Sequence, residues 1–232
     1  MGNHAQFAMY PHLAKSLPYD PFKSFTPVIL QVTVPNILVV HPSVPVNSLA
    51  ELIAYAKANP GKLSYASQGT GASGHIAAEL LKLHAGIDIV HVPYKGAAPA
   101  AQDLLAGHVS MMFDVVSLAL TAIKSGKVRA LGVASKQRVE ALPDVPTLTE
   151  LGFPAEVGAW FGVLAPAGTP PEAIAWLNRE TTKVFSGPDV SGRFTQQGAS
   201  VPLGSPEDFA KFIKAESDRY GDIIQRAGIK LE

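Results

Sequence analysis

The stretch Leu63-Ser64-Tyr65-Ala66-Ser67-Gln68-Gly69-Thr70-Gly71-Ala72-Ser73-Gly74-His75 decides the fold. Its apolar beginning predicts a buried strand, and three glycines follow within a turn. Apolar residues then recur at i, i+4 and i+7 from Ile76, which predicts an amphipathic helix that ends at Gly86. A strand, a glycine turn and a helix in this order are typical of one unit of an α/β sheet.

The same strand–helix alternation extends on both sides of this stretch. Short apolar runs predict buried strands at Ile37–Val40, Leu63–Ala66, Ile89–Val92, Val109–Phe113 and Val128–Val133. Between the first two, Ser48 can cap a helix that ends near Ala58. Because strands that alternate with helices usually run in the same direction, we predict a parallel α/β sheet.

Both ends of the chain depart from this pattern. Four prolines among the first 30 residues exclude a long helix there, so this part is predicted to be irregular. Beyond residue 134, the segment Trp160–Leu164 predicts a further strand. Thr169 and Ser205 each precede proline and an acidic residue, which is typical of a helix capped by a hydroxyl group.

The composition is that of a neutral globular protein. The 232-residue chain is 47% hydrophobic and 16% charged, and Lys+Arg and Asp+Glu number 19 each. A nucleic-acid-binding protein usually has a basic excess, which is missing here. The absence of cysteine excludes disulfides, thiolate zinc sites and cysteine nucleophiles. Apolar runs stay below the ~20 residues of a membrane span, and Met1–Ala5 has no signal-peptide pattern, so we expect no signal peptide in this chain.

The turn Gly69–His75 is the strongest candidate for a binding site. Small residues there let a ligand approach the backbone, and the first N–H groups of a helix favour an anion. A carboxylate or a phosphate suits such a site, and the alternative is a glycine turn that merely closes the strand–helix unit. Ser73 is expected to cap the helix or to donate its hydroxyl to the ligand, and His75 is expected to be a polar first-turn residue.

Further polar residues follow the neighbouring strands. Tyr94 and Lys95 come after one predicted strand and Asp114 after the next, and ligands of open α/β sheets bind at the carboxyl ends of the strands. We therefore expect these loops to converge on one pocket, with a solvated rim as the alternative for Lys95 and Asp114. The candidate ligand-binding residues are Ser67, Gly69, Thr70, Gly71, Ala72, Ser73, Gly74, His75, Tyr94, Lys95 and Asp114. The other histidines show no metal-ligand spacing, and we expect no metal, no cofactor and no catalytic residue.

Two enzyme classes are weaker alternatives. Gly69, Gly71 and Gly74 spell GxGxxG between a strand and a helix, a pattern typical of nucleotide-dependent oxidoreductases. The acid that should follow the next strand and hold a ribose is missing, although Lys95 could bind an NADP phosphate. A hydrolase is not expected, because Ser73 lies in a sequence one residue short of the GxSxG elbow and His75 would have to turn back along its own helix to act as the base.

Several motifs in a fixed order carry a family resemblance. They are Leu17-Pro18-Tyr19-Asp20-Pro21, the glycine turn ending at His75, Val92-Pro93-Tyr94-Lys95-Gly96, Leu142-Pro143-Asp144-Val145-Pro146-Thr147 with Glu150 and Gly152, and Ala165-Pro166-Ala167-Gly168-Thr169-Pro170. Together they closely resemble the substrate-binding receptors of tripartite tricarboxylate transporters, the Bug or TctC family, over essentially the whole chain.

The resemblance implies a type II periplasmic-binding-protein fold, with two α/β lobes joined by crossover strands that close on a ligand. It implies a small organic carboxylate held largely through backbone groups, a periplasmic location and membrane transporter subunits as partners. Asn3 and His4 resemble part of a first-lobe loop that helps to close the site. We expect no enzyme activity and no nucleic-acid partner. The identity of the carboxylate stays open.

The resemblance also implies boundaries. Residues 34–158 correspond to a second lobe, and residues 1–33 with 159–232 to part of the first. Family members begin with an export signal, a first strand and a Pro-Gly-Gly loop, and we expect this chain to start after them, inside the first lobe. Such a chain is expected to form a homodimer through the incomplete lobe. A protein that has lost ligand binding and serves as an interaction partner is the remaining alternative.

Overall fold

The computed structural model describes residues 1–230. The strands are β1 (Gly2–Asn3), β2 (Phe25–Val40), β3 (Ser64–Ser67), β4 (Val90–Pro93), β5 (Met111–Val115), β6 (Arg129–Val133) and β7 (Gly158–Pro166). The helices are α1 (Tyr10–Leu13), α2 (Leu49–Ala58), α3 (Ser73–Ala85), α4 (Ala97–Leu105), α5 (Val116–Lys124), α6 (Pro171–Phe185), α7 (Pro188–Gln196) and α8 (Pro206–Ala227). A π-helical turn, Ala5–Met9, precedes α1.

The chain divides into two compact units. The central unit is Pro35–Gly158, and the terminal unit is Met1–Val34 together with the chain from Ala159 onward. The chain passes from one to the other within β2 and returns at the start of β7. Each unit combines strands with helices, so the α/β class predicted from the sequence is confirmed.

The central unit contains a mixed sheet with the strand order β6-β2-β5-β3-β4. β3 is parallel to β4 and β5, whereas β2 is antiparallel to both β5 and β6. The prediction of a parallel sheet was therefore wrong for β2. An apolar run indicates that both faces of a strand are buried, and a central antiparallel strand shares this property with a parallel one, so the run does not encode strand direction.

β2 begins much earlier than the sequence predicted. It starts at Phe25, so the last part of the segment predicted to be irregular is in fact strand. Pro27 and Pro35 obscured this, because a proline lacks the N–H that a strand donates to its neighbour. The division between the two units falls directly before Pro35.

The terminal unit packs its helices on a short sheet in which β7 lies between β1 and β2. Trp160 on β7 is fully buried, with the rings of Phe209 and Phe212 edge-on at centroid distances of 5.7 and 5.6 Å. The predicted cap at Ser205 is confirmed, since its hydroxyl accepts from the Asp208 N–H in a reciprocal capping box.

The start of α6 differs from the prediction. Pro170, and not Thr169, occupies the N-cap position. The Thr169 hydroxyl instead donates to the Pro166 carbonyl at 2.8 Å, so it closes the preceding turn.

Within residues 1–230, no helix is both long enough and apolar enough to cross a membrane.

Close packing at Gly162 on β7 gives a stability prediction. A Cβ added there would collide with the Phe209 ring and lie 2.8 Å from the Ile29 carbonyl oxygen. Gly162→Ala should therefore lower the free energy of unfolding by about 1–3 kcal/mol.

Gly192→Ala is the matched control in the same unit, because no atom lies within 4 Å of its added Cβ and alanine favours the helix α7. It should stabilise by about 0.5–1 kcal/mol in urea denaturation; equal effects of the two variants would contradict this account.

Candidate functional site

Polar residues of the central unit meet at one edge of its sheet. β3 and β5 are parallel, so their carboxyl ends, Ser67 and Val115, lie at the same edge. β2 runs the opposite way, and Asn36 pairs with Val115, which brings the amino end of this part of β2 to that edge too. The Tyr94 N–H donates to the Ser67 carbonyl at 3.1 Å and so joins the loop after β4 to the same group.

The turn between β3 and α3 depends on glycine. Gly69 has a φ of +133° and Gly71 a φ of +79°, values that residues with a Cβ rarely adopt. Gly74 is needed for space, because a Cβ there would collide with the Phe113 carbonyl oxygen and lie 2.5 Å from Gln68 Oε1. The turn therefore rests directly against the end of β5.

The amino terminus of α3 is buried and carries no side-chain cap. Ala72 is the N-cap residue, so the prediction that Ser73 caps the helix was wrong. Ser73, Gly74 and His75 form the first turn and are all buried, and the first N–H groups of a helix have no intrahelical carbonyl to bind. A buried helix end of this kind favours an anion in front of it, through these donors and the helix dipole.

Asn36 adds a side-chain donor that the sequence analysis missed. Asn36 is fully buried. Its backbone N–H donates to the Val157 carbonyl, and its own carbonyl accepts from the Ala134 N–H. Its Oδ1 accepts from the Ser73 hydroxyl at 3.3 Å, whereas Nδ2 is buried without a hydrogen-bond partner among the described residues. A buried donor left unpaired costs free energy, which a ligand at the start of α3 can recover. The sequence signal that could have revealed this donor is an asparagine directly after Pro35, inside an otherwise apolar strand.

A pair of stacked histidines lies beneath the turn. His75 is buried, and its Nδ1 accepts from the Gly71 N–H at 3.0 Å. The ring of His91, on β4, stacks on it with a centroid distance of 4.0 Å, and His91 Nε2 lies 2.7 Å from the Ser67 hydroxyl. Burial, and secondarily His91, lowers the pKa of His75 to about 4. His75 thus lies in the first turn of α3, as the sequence predicted, and burial keeps its ring neutral.

Asp114 lies under the turn as a buried carboxyl group. Its Oδ1 accepts from the Val115 N–H at 2.8 Å and from Gln68 Nε2 at 3.3 Å. Burial raises the pKa of Asp114 to about 6, against the opposite effect of these two bonds. The residue is only 2% exposed, so it does not form a solvated rim. Its hydrogen bond with Nε2 orients the Gln68 side chain.

Tyr94 and Lys95 are less closely tied to this group. The Tyr94 hydroxyl donates to Asp103 on α4 at 2.6 Å, and this bond raises the pKa of Tyr94 to about 12. Lys95 is exposed. The backbone of this loop does reach the glycine turn, since the Gly96 N–H donates to the Gln68 carbonyl at 3.2 Å.

Asn3 and His4 lie in the terminal unit, whereas the other predicted residues lie in the central unit. Asn3 Oδ1 accepts from the Gln6 N–H at 3.2 Å, and Asn3 pairs with Phe161 across β1 and β7. Burial lowers the pKa of His4 to about 4, against the effect of its bond to the Trp160 backbone. Both residues thus have a local partner within their own unit, although His4 Nδ1 is buried without a hydrogen-bond partner among the described residues.

Among residues 1–230, no cluster of three or more histidine, aspartate or glutamate side chains could hold a metal ion. Besides peptide N–H groups, the described part of the site contains the carboxamides of Asn36 and Gln68, the Asp114 carboxyl group, serine hydroxyls and two imidazole rings.

Comparison with known proteins identifies the family of this chain. The profile of the tripartite tricarboxylate transporter family receptors, TctC, matches residues 1–229. The chain belongs to this family. Its members are substrate-binding receptors and not enzymes, which confirms the expectation that the chain is not an enzyme and contradicts the oxidoreductase reading of GxGxxG.

Two curated relatives illustrate the match. The chain is 42% identical over 210 residues to a UPF0065 protein in the tcbD-tcbE intergenic region of Pseudomonas sp., covering 90% of this chain and 62% of the relative. It is 37% identical over 229 residues to Protein BugT of Bordetella pertussis, covering 98% of this chain and 70% of the relative. The chain thus spans about two-thirds of the length of these relatives.

Solved structures show the same fold. R. palustris Rpa4515 with adipate superposes with a TM-score of 0.91 at 36% identity, covering 99% of this chain and 77% of that one. MatC from Rhodopseudomonas palustris with bound malate gives 0.84 at 34% identity, covering 96% and 77%. The periplasmic-binding-protein fold expected from the sequence is confirmed.

The buried Asp114 gives a prediction for pH. Because its folded pKa of about 6 lies above its ordinary value, the folded chain binds a proton more tightly than the unfolded chain, and stability falls as pH rises from about 4 to 6. Asp114→Asn removes this loss. The variant should gain about 1–3 kcal/mol relative to the parent between pH 4 and pH 7 in urea denaturation.

The control is Asp103→Asn. The Tyr94 hydroxyl, followed by His108, lowers the pKa of the exposed Asp103, so the linked change in stability lies below about pH 4 and the stability of this variant relative to the parent should stay nearly constant from pH 4 to pH 7. A relative stability of Asp114→Asn that stays constant from pH 4 to pH 7 would contradict a buried carboxyl group with a raised pKa.

Proposed function

We propose that this chain is the solute-capturing part of a periplasmic receptor, and that the amino terminus of α3 holds one carboxylate group of a small organic acid. The observation that supports this most directly is the buried, uncapped start of α3 next to the unpartnered Nδ2 of Asn36. Peptide N–H groups and a carboxamide N–H converge there, and all of them donate hydrogen bonds.

The chemistry favours a carboxylate over a phosphate. The donors described at this site are neutral, so they match one negative charge better than two. Asp114 also lies under the turn, and above pH 6 its own charge opposes a strongly anionic group. Two structural neighbours of this chain are described with adipate and with malate, both of them small dicarboxylates.

In this proposal the central and terminal units are the two lobes of the receptor. β2 and the beginning of β7 are the crossover strands that connect them. The receptor would deliver its ligand to membrane subunits of a tripartite tricarboxylate-type transporter, as the family description implies. The predicted role of Tyr94 and Lys95 in selecting the ligand belongs to the same proposal.

The ligand class can be tested by thermal unfolding with a panel of malate, adipate, succinate, citrate and benzoate, with NADP as the comparison. A ligand that binds the folded state stabilises it by mass action, by about 2.7 kcal/mol at a concentration of 100 Kd. One or more of the acids should raise the midpoint, while NADP should leave it unchanged. Stabilisation by NADP alone would overturn the proposal.

Asn36→Asp tests the site itself. The replacement keeps the shape and keeps an oxygen for the Ser73 hydroxyl, but it exchanges the Nδ2 donor for an acceptor that carries negative charge. The affinity for the best acid of the panel should fall about 10- to 100-fold in calorimetric titration, since a hydrogen bond to a charged group is lost.

Asn47→Asp is the matched control, because the same change is made at an exposed position of the central unit. It should bind like the parent. Circular dichroism checks that both variants are folded, and unchanged binding by a folded Asn36→Asp would place the carboxylate elsewhere.

A further inference from the structure

Both ends of the glycine turn are hydrogen-bonded to one stacked pair of imidazole rings, the buried ring of His75 and the half-buried ring of His91. At the later end, the Gly71 N–H donates to His75 Nδ1 at 3.0 Å. At the earlier end, the Ser67 hydroxyl joins His91 Nε2 at 2.7 Å and also donates to the Gly69 carbonyl at 3.2 Å. The two rings stack at 4.0 Å with an angle of 7° between their planes.

The bond from Gly71 depends on the charge of the His75 ring. A neutral imidazole has one nitrogen that accepts a hydrogen bond, whereas an imidazolium ion donates from both nitrogens. Nδ1 can therefore accept from Gly71 only while this nitrogen carries no proton. Gly71 adopts its φ of +79° without strain, so the bond to His75 fixes the direction of the Gly71 N–H and does not offset a strained backbone.

The surroundings keep His75 neutral near pH 7. His91 and Tyr65 face the ring from β4 and β3, Lys82 and Glu79 lie on α3 itself, and Asp114 lies on β5 beyond Gln68. Glu79 is the one group that favours a charged His75 in this set, and it already accepts from the Tyr65 hydroxyl and from Lys82.

We propose that His75 is a positioning residue for the anion site: its neutral ring, braced by His91, holds the glycine turn in the form that presents the α3 amides, and a proton on His75 releases the turn. This inference rests on the proposed function, because the turn is the site assigned to the carboxylate. It adds a regulation of that site, in which acid weakens carboxylate binding.

The expected pH range follows from the ring's environment. Burial, and then His91, lowers the pKa of His75 to about 4. The hydrogen bond from the Gly71 N–H to His75 is therefore kept at neutral pH and lost as pH falls through about 4. The unfolded chain binds this proton more readily than the folded chain, so stability declines between about pH 6.5 and 4 for the same reason.

The experiment compares His75→Asn with the parent chain. Asparagine places Oδ1 where the ring carries Nδ1, so it can accept from Gly71 but cannot take up a proton in this range. NMR hydrogen exchange of the Gly71 amide in the ligand-free chain gives its protection relative to the intrinsic rate at each pH. In the parent, protection should fall about 3- to 10-fold from pH 6 to pH 3.8; in His75→Asn it should stay constant.

Binding gives the second readout, with adipate as the probe. Adipate itself titrates in this range, so the ratio of the Kd of the parent to the Kd of His75→Asn is measured at each pH, where the effect on the ligand cancels. The ratio should rise by up to about 2.5-fold towards pH 3.8, because a pKa of about 4 leaves roughly 40% of the His75 rings neutral at that pH. His75→Ala, which offers no acceptor, should bind weakly at every pH, and rescue by asparagine distinguishes positioning from bulk packing.

His84→Asn is the matched control, because it makes the same change at an exposed position of the same helix. It should keep the pH profiles of the parent. Parent-like pH profiles in His75→Asn, or constant Gly71 protection in the parent, would overturn the inference. A chain that binds none of the acids but still releases Gly71 at low pH would refute the proposed function and support the role of His75 in holding the turn.

Discussion

The approach of α3 to the end of β5 is the constraint on which the central unit depends. Gly74 lies against the Phe113 carbonyl with no room for a side chain, and this contact buries the first turn of the helix. Burial removes the water that would otherwise bind the first N–H groups. Asn36 and the stacked histidines are arranged around this helix end, so the chemistry of the proposed binding site follows from one close backbone contact.

The side chains around this helix end are mostly neutral or close to losing their charge. Asn36 is uncharged, burial keeps His75 unprotonated at neutral pH, and Asp114 is held close to the point at which it loses its charge. His75 and Asp114 respond to acid in opposite ways between about pH 4 and 6, because one resists a proton and the other retains it. Their effects on stability partly offset one another, although they act on different parts of the turn.

The glycine turn and the α/β class could be predicted, since a positive φ and a repeated strand–helix pattern leave clear marks on a sequence. Asn36 and His91 could not, because a single polar residue in or beside a strand shows its partners only in three dimensions. The direction of β2 was missed because its apolar run records burial alone. Ser73 was misplaced by one position, a common error at helix ends.

The donors at the start of α3 belong mainly to the main chain, and this has an evolutionary consequence. Side chains at Thr70 and Ala72 can be exchanged without removing a peptide N–H, provided that the three glycines remain. If the acid group binds here, as proposed, substitutions of the surrounding side chains leave the groups that recognise it in place. In the proposed receptor, ligand preference can therefore change through residues that do not supply these donors, and such a scaffold would suit engineered metabolite sensors.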